Sequence, residues 1–279
     1  MLHRTSLTSI TMPRQRSLLI KLILLMPFLV PACTGTGRVS EEKTPDVEYD
    51  CYLLLGQSNM VGYADLEPED TVAIRGVFLL DDKGEIIPAS SPLARFSTIR
   101  FMGSTGYGLG ASFGRNIRFK TGHYVLLVVN PRGGSAIREW QKSGPFNFYS
   151  EAVRRTEEAL AIPGVHLKGI LWHQGESDCT RVDFEEYWYG YLAQMVSDFR
   201  EDFGNPSLPF VVGETYYGAS YADKMNPVVR KVADYIPYSD WVSAEGCGTK
   251  GDDIHFDHAA YDLLGERYAE KIYPLVFGD

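Results

Sequence analysis

Cysteine is scarce, with four in 279 residues, at positions 33, 51, 179 and 247. A disulfide framework of the kind that holds small secreted domains together is excluded, so folding must rest on an apolar core. Long apolar runs are also missing. The best, residues 22–30, is nine residues long and interrupted by Pro27, whereas a bilayer span needs roughly twenty. No H-E-x-x-H or similar zinc spacing occurs, so a metal site is not expected. No G-x-S-x-G occurs either, which removes the nucleophile elbow of the α/β-hydrolases. Basic residues are outnumbered, 27 Lys and Arg against 36 Asp and Glu.

What stands at the start is a targeting pattern. Arg14, Arg16 and Lys21 precede the short apolar run, so residues 1–32 read as a secretory signal. Met12 makes a better start than Met1, because Met12-Pro13-Arg14-Gln15-Arg16 forms a compact positive region. The signal closes in Val30-Pro31-Ala32-Cys33, which resembles a bacterial lipobox with Cys33 as the lipidated first residue. An ordinary cleaved signal with an incidental cysteine is the alternative. The expectation is an exported protein, a cell-envelope lipoprotein or else secreted, that meets a membrane only through such an anchor. Residues 33–49 are its polar tether. Removal of 1–32 takes Arg4, Arg14, Arg16 and Lys21 and no acid, leaving 23 basic against 36 acidic residues, a formal charge of −13. Such a surface repels phosphate backbones and argues against nucleic acid as a partner. Export permits oxidation. Cys51 falls in a strand and reads as a buried thiol, while Cys179 and Cys247 fall in loops and are a candidate pair.

Residues 51–55 are a short apolar run that suits a buried strand. The run stops at Gly56, and Ser58 follows between the amides of Gln57 and Asn59. In open α/β folds the carboxyl edge of the sheet is where ligands bind. Residues 77–80 and 85–88 flank Asp81-Asp82-Lys83-Gly84, a hairpin signal. The glycines at 103, 106, 108 and 110 lack dinucleotide-loop spacing and lead into a helix at 111–120. A β-branched strand at 123–130 ends in Arg132-Gly133-Gly134-Ser135. A helix at 148–161 and a strand at 167–172 lead to His173-Gln174-Gly175-Glu176-Ser177-Asp178. The clearest period is Phe184, Tyr187, Trp188, Tyr191, Leu192, Met195, Val196 and Phe199, one broad helical face that reads as core rather than as a sugar platform. A strand at 209–212, a helix at 221–235, a strand at 241–244 and a helix at 258–272 complete the chain. The alternation predicts one α/β domain over 50–279 with a mainly parallel, five-stranded sheet.

A hydroxyl at its free pKa is a poor nucleophile and needs an oriented base beside it. Asp252-Asp253-Ile254-His255 offers one, since a spacing of three brings the carboxylate and imidazole together on one turn. Asp252 then holds one ring nitrogen while the other faces Ser58. Plainer readings stay open. Ser58 fits a helix N-cap, Gly133-Gly134 a turn, His173 a core histidine and Asp253 a solvated neighbour. A metal site from Asp252, Asp253, His255, Asp257 and His258 lacks the required spacing.

Four blocks in order carry a resemblance: Gly56-Gln57-Ser58-Asn59-Met60, Gly133 through Trp140, Trp172 through Asp178, and Asp252 through Phe256. Together they resemble the SGNH hydrolase superfamily, within it the sialate O-acetylesterases and family 6 acetylxylan esterases, over nearly the whole domain. The resemblance implies a three-layer α/β/α sandwich of flavodoxin-like type and a cofactor-free carbohydrate O-acetylesterase acting on acetylated glycans. It makes Ser58 the nucleophile, His255 the base and Asp252 its orienting carboxylate. The implied oxyanion donors are the N–H groups of Ser58 and Gly134 and the side-chain amide of Gln174. The chain departs from many SGNH enzymes in lacking Gly-x-Asn-Asp, with His173-Gln174-Gly175-Glu176 in its place. Glu176 orders the loop or assists His255. Arg138 and Trp140 either line the substrate cleft or form an ion pair and a core aromatic. The rivals are another small-acyl esterase or lipase, and a non-catalytic glycan-binding lipoprotein, which has no use for Ser58, Asp252 and His255 together.

Overall fold

A computed structural model describes residues 47–100 and 105–278. The signal, Cys33 and the tether as far as residue 46 lie outside the described residues. Among the described residues no helix is long and apolar enough to cross a membrane.

The opening run is strand β1, Tyr49–Gly56, which starts before the apolar core because Asp50 is compensated. Its carboxylate meets His123 at 2.8 Å and Lys168 at 3.5 Å. After a four-residue helix α1 (Ser58–Val61) come β2 (Val77–Leu80) and β3 (Ile86–Pro88). Helix α2 (Leu109–Thr121), β4 (Tyr124–Val129), α3 (Phe148–Leu160), β5 (Val165–His173) and α4 (Phe184–Asp202) follow. The chain ends with β6 (Phe210–Gly213), α5 (Ala222–Val229), α6 (Val232–Tyr235), β7 (Ser239–Val242) and α7 (His258–Phe277).

The strands form one sheet in the order β3-β2-β4-β1-β5-β6-β7, parallel except for β3. The sheet therefore has seven strands, not five. The hairpin joins it because Val77 and Leu79 are buried and β2 pairs in register with β4. Proline at the end of β3 is tolerated because that strand is the antiparallel edge, where an N–H is dispensable.

Side-chain alternation sorts the core into two layers. Cys51, Leu53 and Leu55 of β1 face the side covered by α3 and α4, with Trp172, Trp188 and Phe199. Tyr52 and Leu54 face the side covered by α2 and α7, with Phe113, Tyr261 and Tyr268. The aromatic period of α4 is core as expected, Phe199 stacking on Tyr149 at 4.5 Å. Each such large buried side chain contributes about 1.5–3 kcal/mol by leaving water. The helix expected over 221–235 is two helices. Pro227 has no N–H to donate to the preceding turn, and bonds from Lys231 N to Val228 O and from Asp234 N to Lys231 O tighten the chain between them.

Candidate active site

The carboxyl ends of β1, β4 and β5 are stitched together around Ser58. Asn130 N donates to Leu54 O at 3.0 Å, Arg132 N to Gly56 O at 2.9 Å, and Gln57 N to His173 O at 2.9 Å. Gly56 has φ +136°, and a Cβ there would stand 2.2 Å from His173 O, so only glycine lets β1 turn this close to β5. Ser58 opens α1 and is 6% exposed. The N–H groups of Ser58 and of Gly134, which is held at φ +70°, donate to no other described residue. Both are free for a ligand oxygen.

Asp252 and His255 meet as their spacing predicts. His255 Nδ1 lies 2.7 Å from Asp252 Oδ2, and Asp252 Oδ1 accepts from the backbone N–H groups of His255 (2.7 Å) and Ile254 (3.1 Å). Burial opposes ionisation of Asp252, but the His255 and Ile254 donors outweigh it and hold the carboxyl below its usual range. The proton on Nδ1 is thereby fixed and Nε2 is left as an acceptor. Tyr63 packs on the imidazole, ring centroids 4.9 Å apart. Ser58 and His255 line one cleft of about 770 Å³ with Gln57, Tyr63, Arg132, Gly133, Gly134, Glu139, Phe146, Phe148, Glu176 and Tyr221. No hydrogen bond joins Ser58 Oγ to the imidazole among the described residues, and such bonds commonly tighten only with substrate.

Several expected residues lie elsewhere. Gln174 is fully buried and turned from the cleft. Its Nε2 donates to Asp178 Oδ2 (2.6 Å) and Ser135 O (3.1 Å), and its Oε1 accepts from Trp188 Nε1 (3.1 Å). Both amide hydrogens are therefore spent, one on Ser135 beside Gly134 and one on Asp178, and Gln174 does not line the cleft. Gln57 faces the cleft instead. The backbone N–H groups of Ser177 (3.4 Å) and Gly175 (3.5 Å) point at its Oε1, at the long end of hydrogen bonding, which leaves Nε2 on the other side. The signal for Gln57 lay beside Ser58, but nothing in the sequence told which glutamine points in.

Arg138 is exposed and does not line the cleft. Trp140 is a core aromatic, edge-on to Trp172 at 5.2 Å, with Nε1 donating to Ser135 Oγ at 2.8 Å. Arg132, Phe146 and Phe148 line the wall instead. Phe146 sits in a loop, where an aromatic carries no period, and Phe148 opens α3, where the helical period does not show that the ring faces the cleft. His173 is buried with Nδ1 3.1 Å from Tyr268 Oη, and burial pushes its pKa down to about 3, so the ring is neutral. The candidate Cys179–Cys247 bridge is not formed. Cys51, Cys179 and Cys247 are all free, buried thiols.

Glu176 lines the cleft with Ser58 and His255. Its Oε1 accepts from Asn59 Nδ2 at 2.7 Å, while Oε2 is buried without a partner. Burial is the larger influence and raises its pKa, opposed by nearby backbone N–H groups, the Asn59 bond and His255. A raised carboxyl pKa contributes stability below the unfolded value, and that contribution is lost as pH rises through the folded value. Glu176→Gln is therefore expected to melt above the wild type at pH 8, with the gap closing as pH falls below the ordinary carboxyl range. Thermal melts across that range check it, and a gap that widens on acidification would contradict the assignment.

A crystal structure of an Arabidopsis thaliana protein matches this fold with a TM-score of 0.70 at 25% identity, covering 80% of this chain and 97% of that one. A carbohydrate acetylesterase from Xanthomonas citri gives 0.62 at 18% identity, covering 82% of this chain and 57% of that one. One from Sinorhizobium meliloti gives 0.51 at 13% identity, covering 81% and 99%. These matches place the chain among α/β/α sandwiches, with helices on both faces of a mainly parallel sheet. In sequence, a probable carbohydrate esterase of Arabidopsis thaliana is 29% identical over 248 residues, 82% of this chain and 92% of that protein. The family model for carbohydrate esterase, sialic acid-specific acetylesterase, matches residues 48–274, and the chain belongs to that family. It is a carbohydrate esterase, a hydrolase of carboxylic esters.

Proposed function

We propose that this enzyme removes O-acetyl groups from glycans of the sialate or xylan type by acyl transfer through Ser58. The observation that carries the reading is the Asp252-held imidazole of His255 in one cleft with Ser58. Ser58 Oγ attacks the acetyl carbonyl as His255 Nε2 takes its proton. The tetrahedral oxygen is met by the N–H groups of Ser58 and Gly134 and by Gln57 Nε2, which replaces Gln174 in this role. His255 returns the proton to the sugar oxygen, which leaves as an alcohol, and the acetyl group stays on Ser58. Water, deprotonated by His255, then attacks the acetyl-enzyme, and acetate departs as Ser58 recovers its proton. Phe146, 51% exposed and stacked on Phe148 at 5.1 Å, offers a sugar ring an aromatic face. In this reading the signal exports the enzyme and Cys33 anchors it.

The test is acetate release from a panel of acetylated sialates, acetylated xylans and simple acyl esters. Turnover confined to long-chain or lipid-like esters would defeat the glycan assignment. The oxyanion assignment has its own test. Gln57→Ala is expected to lower kcat by about 10²–10³ with the fold intact, the usual cost of one oxyanion donor. Gln174→Ala is expected to act mainly on stability, by about 1–3 kcal/mol, because Trp188 Nε1 and Ser135 O are left unpaired in the core. The opposite pattern in kcat and Tm would return the role to Gln174.

A further inference from the structure

Asn59, the residue after the nucleophile, is completely buried and outside the cleft. All its hydrogen-bonding capacity is nonetheless used, and across very long sequence separations. Nδ2 donates to Ile254 O at 3.0 Å and to Glu176 Oε1 at 2.7 Å. Oδ1 accepts from Phe256 N at 3.2 Å and from Tyr261 Oη at 3.0 Å. An asparagine side chain has two donor hydrogens and two acceptor lone pairs, so nothing is left over. Two of the four bonds grip the backbone on either side of His255. A third grips the loop after β5, and the side chain itself projects from the turn that carries Ser58.

The Asp252–His255 pair is local, closed within one turn, and says nothing about where that turn sits relative to Ser58. Among the described residues no hydrogen bond runs from Ser58 Oγ to His255, so other contacts must set their separation. Asn59 is next to Ser58 in the chain and clasps both neighbours of His255 in space. We propose that Asn59 is a positioning residue that fixes the nucleophile turn against the His255 loop and so sets the distance over which the proton moves. This rests on the reading of Ser58 and His255 as nucleophile and base. Displacement of a reacting group by about 1 Å costs roughly 10²-fold in rate, and loss of all four bonds admits a displacement of that order. No other residue type of this size supplies two donors and two acceptors. Aspartate keeps the acceptors for Phe256 N and Tyr261 Oη but turns oxygen toward Ile254 O and Glu176.

The experiment compares Asn59→Ala, Asn59→Asp, Ser58→Ala and a control, Asn226→Ala, on the full chain with an acetyl ester substrate. Asn226 is also buried and makes three hydrogen bonds, all to Thr215, away from the cleft. Asn59→Ala is expected to lose about 10²-fold in kcat with KM changed less than threefold, and Asn59→Asp at least as much. Labelling of Ser58 by a fluorophosphonate is expected to slow in parallel while still reaching one label per chain, which shows a folded site. Asn226→Ala is expected to melt lower but to keep kcat within about twofold. Asn59→Ala and Asn59→Asp turning over within threefold of wild type, or Asn226→Ala losing as much, would overturn the positioning role. Hydrolysis that survives in Ser58→Ala would overturn the underlying reading, a separate outcome.

Discussion

Ser58→Ala is expected to cut kcat for acetyl ester hydrolysis by about 10⁶ while the melting temperature stays within about 1 °C of wild type. The kinetic half follows from the division of labour in a hydroxyl-nucleophile site, where removal of the nucleophile abolishes the acyl-enzyme route altogether. What survives is direct attack by water at a carbonyl still polarised by the Gly134 and Ser58 N–H groups and Gln57. Donors of this kind alone retain roughly 10³-fold over the uncatalysed reaction. The thermal half follows from the geometry. Ser58 Oγ makes no hydrogen bond to a described residue, so its loss leaves no partner unpaired. Acetate release and calorimetry on the same preparation separate the two effects, and mass spectrometry adds a third readout. The wild type gains one fluorophosphonate adduct on the peptide containing Ser58, and the variant gains none. Activity within tenfold of wild type, or labelling elsewhere, would place the nucleophile on another residue.

The sequence foretold the α/β class and the Asp252–His255 contact, and it missed how many strands join the sheet and which side chains face the cleft. The Asp252–His255 pairing was legible because it is local, three residues on one turn, and geometry forces the contact. The apolar core of β1 and the aromatic face of α4 were legible because burial on both faces or on one stripe leaves a pattern. The hairpin of β2 and β3 was legible as strands, but not as part of the main sheet. β2 and β3 are four and three residues long, and β3 is only partly buried, so neither holds enough residues for alternation to identify a sheet member. The direction of a glutamine was hidden for another reason. Gln174 is pulled inward by Trp188 Nε1 from α4 and by Asp178, while Gln57 is held from behind by the 175–177 backbone. Those partners are close only once β5 and β1 are paired. Trp140 shows the same limit. Its placement against Trp172 depends on β5, and five residues of separation from Ser135 do not say whether the ring faces substrate or core.

Asp252→Asn should be the second most damaging change, lowering kcat by about 10⁴ with little loss of fold. The size of the effect comes from a tautomer rather than from a missing contact. Asp252 Oδ1 accepts two backbone N–H groups, from Ile254 and His255, and Oδ2 accepts Nδ1–H of the imidazole. Asparagine has one oxygen for these three donors. Two backbone N–H groups cannot turn away, so the amide oxygen stays with them and the NH₂ is aimed at His255 Nδ1. An NH₂ beside Nδ1 favours the ring with its proton on Nε2, and that nitrogen then has no lone pair for the Ser58 proton. The wild-type carboxyl is held below its usual range and so presents an ionised acceptor to Nδ1–H at neutral pH. Steady-state kinetics at neutral pH read the loss. A loss of tenfold or less in Asp252→Asn, together with a loss near 10⁴ in Glu176→Gln, would transfer the orienting role to Glu176, whose buried carboxylate also acts on His255. A loss near 10⁴ confined to position 252 would keep Glu176 in a supporting place, where its hydrogen bond to Asn59 ties the loop after β5 to the turn that carries Ser58.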